Sequence, residues 1–208
     1  MKKIEKILIA TGNQGKFNEI SSLLKPLNIQ AISSSKFNLS EPEENGKTFK
    51  ENSVIKARYY GSKTNLIALA DDSGLCVDAL NDNPGINSAR FAIDEKTNKS
   101  NFPLAFEKIF LQLSKVGITP NHKPKAHFIC NLSLFDPETN FEISFEGRVD
   151  GCLIYPARGN KGFGYDSIFM KDGMNLSFGE IETNEKDLIS HRANAFKKFV
   201  AWLEKKNS

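Results

Sequence analysis

Apolar residues run unbroken from Ile7 to Ala10, and Thr11, Gly12, Asn13 and Gly15 then cut the run. Ile20, Leu23 and Leu24 follow at helical spacing until Pro26 stops them, so the segment predicts strand, tight turn and helix. A polar stretch from Ser33 to Lys47 leads to a second helix over roughly 48–62, and Leu66 to Ala70 has the length and character of a buried strand. That strand is expected to end at Ala70 and deliver Asp71 and Asp72 into a loop closed by Gly74. Asn83, Pro84 and Gly85 mark another turn, and Phe106, Ile109, Phe110 and Leu113 predict a third helix over about 100–116.

From Ala126 the period changes to two. Phe128, Cys130, Leu132 and Leu134 alternate with polar residues, as do Phe141, Ile143, Phe145 and Val149, with Asp136 to Asn140 as the turn of an antiparallel hairpin. Glycine-rich sequence from Gly159 to Gly164 precedes a short strand near Ile168. A last helix starts at Ser190, with Ala193, Phe196, Val200 and Leu203 inward. Strand-helix units combined with a hairpin predict one α/β domain, residues 1–208, on a mixed sheet.

Composition narrows the classes. The 208 residues, 39% of them hydrophobic, suffice for one substantial core. Lys and Arg total 28 against 25 Asp and Glu; with a net charge of +3 and no basic block, no nucleic-acid partner is expected. Ile7 to Ala10 is far too short for a signal-peptide core or a membrane span, so a cytoplasmic protein with no membrane contact is expected. Cys76, Cys130 and Cys152 are odd in number and widely spaced, which predicts reduced, buried thiols.

Four segments carry candidate chemistry. Thr11, Gly12, Asn13, Gln14, Gly15 and Lys16, between strand and helix, suit an anion held by backbone N–H groups and Lys16; the same residues also suit an ordinary glycine turn that caps a helix. Asn52 and Lys56 share a face of the second helix. Asp71 and Asp72 repel unless a cation or donors offset them, and with Glu44 they offer the hard oxygens that Mg²⁺ prefers. Phe163 stands between Gly162 and Gly164, followed by Tyr165 and Asp166, as a base-stacking ring or as a buried ring in a rigid turn. His191 and Arg192 fall in the first turn of the last helix, where the helix dipole disfavours positive charge. An anionic ligand or a neighbouring carboxylate would offset it, and Lys186 is close enough in sequence to join either arrangement.

In this order, Thr11 to Lys16, Phe49 to Ala57, Ala70 to Leu75, Pro84 to Arg90, Gly162 to Asp166 and Lys186 to Arg192 resemble the inosine triphosphate pyrophosphatase family from the first strand to the last helix. The resemblance implies an elongated twisted mixed β-sheet flanked by helices, two lobes with a central cleft, a homodimer, and Mg²⁺-dependent conversion of ITP, dITP or XTP to the monophosphate and pyrophosphate. By position it implies that Thr11 to Lys16 and Lys56 bind the phosphates. Glu44 and Asp72 would hold the metal, with Asp72 the proton acceptor supported by Asp71. Ser73 would touch the substrate, while Phe163, Gly164, Tyr165, Asp166, Lys186, His191 and Arg192 would form the base pocket. Asn87, Asp82, Asn83 and Ser167 depart from the family pattern. Pyrophosphatases of Maf-like specificity and a nucleotide-binding module without turnover are the competing readings.

Overall fold

The computed structural model describes residues 4–207; Met1, Lys2, Lys3 and Ser208, which the expected domain includes, lie outside the described residues. In chain order the elements are β1 (Lys6–Ile9), α1 (Gln14–Leu24), β2 (Gln30–Ser33), α2 (Phe49–Thr64), β3 (Ala68–Val77), β4 (Asn83–Pro84), α3 (Ser88–Phe91), β5 (Ile93–Asp94), β6 (Lys99–Ser100) and α4 (Phe102–Lys115). β7 (Lys125–Asp136), β8 (Phe141–Leu153), β9 (Phe169–Lys171), α5 (Thr183–Ile189) and α6 (His191–Asn207) complete them.

The main sheet has the order β2-β1-β3-β7-β8-β9, with β4 on β3. β1 pairs in parallel with β2 and β3, whereas β3 with β4 and β8 with β9 are antiparallel, so the sheet is mixed as expected. The unbroken apolar run of β1 follows from its place between two parallel neighbours: Ile7, Leu8 and Ile9 are fully buried. β2 and α5 escape periodicity. Each is only a few residues long and mixes polar with apolar positions.

One expectation is corrected. Asp71 and Asp72 lie inside β3, which continues to Val77, and not in a loop after Ala70. Their charges meet cationic side chains and an amide, described below, so the strand continues where the hydropathy pattern breaks.

The chain divides into two compact units. The first comprises the described residues up to Asp72, Cys130–Gly147 and the chain from His191 onward. Its largest cluster gathers Ile7, Ile9, Ile20, Leu24, Leu69, Leu132, Phe196 and Phe199. The second, Ser73–Ile129 with Arg148–Ser190, is built on Leu75, Ile109, Phe128, Phe169 and Phe178. Among the described residues, no helix is long and apolar enough to cross a membrane.

Candidate active site

In the first unit the turn after β1 is shaped by its own side chains. Asn13 caps α1 by accepting the Lys16 N–H at 3.1 Å, Thr11 Oγ1 accepts the Asn13 N–H at 3.1 Å, and Ser34 Oγ donates to the Thr11 carbonyl at 2.9 Å. Gly12, Asn13 and Gln14 are exposed, and a pocket of about 300 Å³ opens beside them, with Ser33 to Ser35 and Tyr60 in its lining.

Lys16 leaves this turn and reaches Asp71, Nζ to Oδ2 at 3.1 Å. The same oxygen accepts from Arg192 Nη2 at 3.0 Å, and Arg192 Nη1 donates to Glu19 Oε2. Asp71, Arg192 and Glu19 are all buried. Burial opposes the charge of Asp71, yet Lys16, Arg192 and Lys56 outweigh it and hold the carboxyl well below the usual range. The two carboxylates likewise keep Arg192 charged against its burial. They also offset the unfavourable start of α6. A close approach makes this contact possible, because a Cβ on Gly147 of β8 would meet the His191 carbonyl oxygen at 2.1 Å and Ala195 N at 2.2 Å.

Asp72 lies in a second group. Lys56 Nζ stands 2.9 Å from Glu44 Oε1 and 3.7 Å from Asp72 Oδ1, while Asn52 Nδ2 donates to Asp72 Oδ2 at 3.1 Å. Burial pushes the Asp72 carboxyl above its ordinary pKa, with Glu44 and Asp71 adding to the push against Lys56 and Lys16. Lys56 is also raised: burial works against its charge, but Asp72, Asp71 and Glu44 prevail. Two carboxylates that converge on one ammonium form a place built for positive charge, and their hard oxygens fit Mg²⁺.

In the second unit Phe163 is half-buried. Its N–H donates to Asp166 Oδ2 at 2.8 Å, and Lys186 Nζ reaches the same oxygen at 2.6 Å while standing 4.6 Å from the Phe163 ring centroid. Gly162 and Gly164 have φ of 72° and 67°, and a Cβ on Gly162 would lie 2.3 Å from Asp166 Oδ2, so both flanking glycines have backbone reasons. Ser73 is the partly exposed residue of β3 after the aspartate pair.

Two residues named for the base pocket have other surroundings. The Tyr165 hydroxyl donates to the Ser88 carbonyl at 2.8 Å, its ring packs edge-on against Phe102, and burial raises its pKa. The Arg192 nitrogens described above go to Glu19 and Asp71. His191 is buried at the first position of α6. Sequence reasoning missed Glu19: a charged residue on α1 next to Ile20 carries no local sign that it is buried.

A further group of possible metal ligands, Asp78, Asp82 and His127, lies in the second unit with ligand atoms within 4.8 Å of one another. His127 Nδ1 is 3.0 Å from Asp78 Oδ1, a pairing that satisfies the ring nitrogen without an ion.

Comparison with known proteins agrees with this architecture. A dITP/XTP pyrophosphatase of Zymomonas mobilis is 45% identical over 94% of this chain and 90% of its own length, and one of Agrobacterium fabrum is 41% identical over 93% and 94%. The solved structure of a HAM1 protein from Coxiella burnetii superposes with a TM-score of 0.84 at 33% identity, covering 97% of this chain and all of that one. The model of the Ham1 family matches residues 7–202, and the chain belongs to that family.

Proposed function

We propose that this protein hydrolyses the non-canonical purine nucleoside triphosphates dITP, XTP and ITP between the α and β phosphates, releasing the monophosphate and pyrophosphate. The single observation that carries the reading is the convergence of Glu44 and Asp72 on Lys56, one residue along β3 from the pairing of Asp71 with Lys16. The activity named for the relatives at 45% and 41% identity supports it. One catalytic domain over the whole chain, acting as a cytoplasmic homodimer without a nucleic-acid partner, belongs to the same reading.

In this mechanism Asp72 accepts the proton of the attacking water. Asn52 and Lys56 hold its two oxygens in place, while Asp71, paired with Lys16 and Arg192, stays ionised beside it. Glu44 and Asp72 would hold Mg²⁺, which when bound would neutralise charge on the phosphates. The ammonium groups of Lys16 and Lys56 add fixed positive charge where the departing pyrophosphate gains negative charge, and the N–H groups of Gly12, Gln14 and Gly15 bind its oxygens, with Thr11 and Asn13 shaping the turn. Ser73 contributes a further substrate contact.

The base falls to Phe163, Gly164, Asp166 and Lys186, with His191 as a further donor. Phe163 supplies a stacking face, and the Lys186 ammonium above the ring only donates. A donor suits the 6-carbonyl of hypoxanthine and xanthine and opposes the 6-amino group of adenine, a mismatch worth roughly 10⁴-fold in a polar pocket. Arg192 and Tyr165 act through their neighbours: Arg192 fixes Asp71, and Tyr165 anchors the segment that carries Phe163.

A panel of dITP, XTP, ITP, ATP, GTP and dUTP, with Mg²⁺ and with chelator, tests the reading. Metal-dependent release from the first three, with weak release from ATP and GTP, is expected. Preference for dUTP would favour Maf-like specificity, and binding of ITP without release from any nucleotide would favour a binding module.

A further inference from the structure

Asn52 is fully buried near the start of α2, and its two polar atoms have partners of opposite kind. Nδ2 donates to Asp72 Oδ2 at 3.1 Å, and Oδ1 accepts the Gly46 N–H at 2.9 Å. A backbone N–H only donates and a carboxylate only accepts, so the neighbours fix which way the amide points. Aspartate at this position would satisfy Gly46 but repel Asp72, and alanine would serve neither. The amide is the group that joins them.

One contact reaches a proposed metal ligand directly, and the other reaches the segment that carries the second. On one side, Asn52 anchors Oδ2 of Asp72, so Oδ1 is the oxygen turned to Lys56, one helical turn further along α2. On the other, Gly46 lies two residues after Glu44, in the segment that leads into the helix. Gly46 has to be glycine for this approach: a Cβ there would stand 2.6 Å from Asn52 Oδ1 and 2.7 Å from Glu51 Cβ. Capping of α2 does not require Asn52. Thr48 Oγ1 accepts the Glu51 N–H at 3.1 Å, and Glu51 Oε2 accepts the Lys47 N–H at 2.5 Å, which closes the helix start independently.

We propose that Asn52 is a positioning residue that sets the separation of Glu44 and Asp72 and selects Oδ1 of Asp72 as the working oxygen, a role that rests on the reading of these two as metal ligands. Partners of this kind, which orient a ligand without touching the ion, typically change metal affinity or activity about 10- to 100-fold when replaced.

The test uses the 208-residue wild type and the variants Asn52→Ala and Gly46→Ala, each first checked for a cooperative thermal transition. Mn²⁺ binding is read by electron paramagnetic resonance, and dITP hydrolysis by steady-state kinetics. Asn52→Ala and Gly46→Ala are expected to bind Mn²⁺ more weakly by about 10-fold or more and to lose kcat by about 10- to 100-fold, with KM for dITP within about 3-fold. A folded Asn52→Ala with Mn²⁺ affinity and kcat within about 3-fold of wild type overturns the proposal and leaves the enzyme reading intact. Should Asn52→Ala not fold, Gly46→Ala, which keeps the amide but displaces it from the Gly46 N–H, decides by the same criterion. A wild type that binds Mn²⁺ but hydrolyses no nucleotide rejects the enzyme reading, and the affinity ratios alone then judge Asn52. A wild type that binds no Mn²⁺ removes the metal pair, and the role of Asn52 with it.

Discussion

Arg192 and Glu19, 173 positions apart in sequence, meet as a buried ion pair with Arg192 Nη1 donating to Glu19 Oε2. The other arm of the guanidinium holds Asp71, so a carboxylate on α1 positions the cation that neutralises the first aspartate of the pair. Removing one partner of a buried pair strands the other charge in a low-dielectric interior. Glu19→Ala is therefore expected to destabilise the fold by about 3 kcal/mol, read from urea unfolding at neutral pH. A loss below about 0.5 kcal/mol, the usual effect of a surface substitution, would show that Glu19 does not hold Arg192.

Lys56 is the cation on which Glu44 and Asp72 converge, and a neutral side chain of similar length removes its charge with little change in shape. Lys56→Met is expected to lower kcat and kcat/KM for dITP together, each by about 100-fold or more. An increase in KM alone, with kcat unchanged, would reassign Lys56 to ground-state binding.

Phe163→Ala removes the ring beneath the Lys186 ammonium. Stacking on an aromatic side chain is worth about 1–3 kcal/mol per base, so KM for dITP should rise about 10-fold while the products stay the same. Unaltered KM across the nucleotide panel would return Phe163 to the turn-packing role that its sequence neighbours also allowed.

Much of the fold can be read from local pattern. The β1-turn-α1 segment, the stop at Pro26, the β7–β8 hairpin and the start of α6 after Ser190 all follow from period, turn chemistry and capping, which act over a few residues. The continuation of β3 through Asp71 and Asp72 does not follow, because cations on α1, α2 and α6 make those charges tolerable and no local window contains them. Arg192 illustrates the same limit. Its place in the first turn of α6 calls for a partner, and that partner is a pair of carboxylates distant in sequence. Asn52 and Lys56 could be placed on one face of α2 from spacing alone, whereas the carboxylate they share needed the fold.

The three thiols are free and buried. Burial, aided by Asp82 and Asp78 against Arg148, pushes Cys76 up to about 12, and burial also raises Cys130 and Cys152. At pH 8 these groups remain protonated thiols behind the packed core. Iodoacetamide labelling followed by mass spectrometry should modify Cys76 and Cys130 only after denaturation. Rapid modification of either in the native protein would contradict the packing around β3 or β7.

The most direct test of the central claim is the product pattern of dITP in Mg²⁺, followed by ³¹P NMR, for wild type and Asp72→Asn. Wild type is expected to form dIMP and pyrophosphate in equal amounts, with no diphosphate intermediate, and Asp72→Asn, which keeps its shape but cannot take a proton, to lose at least about 100-fold in rate. Release of inorganic phosphate with dIDP, or an Asp72→Asn variant that turns over at the wild-type rate, would contradict the assignment of α–β cleavage to this carboxylate.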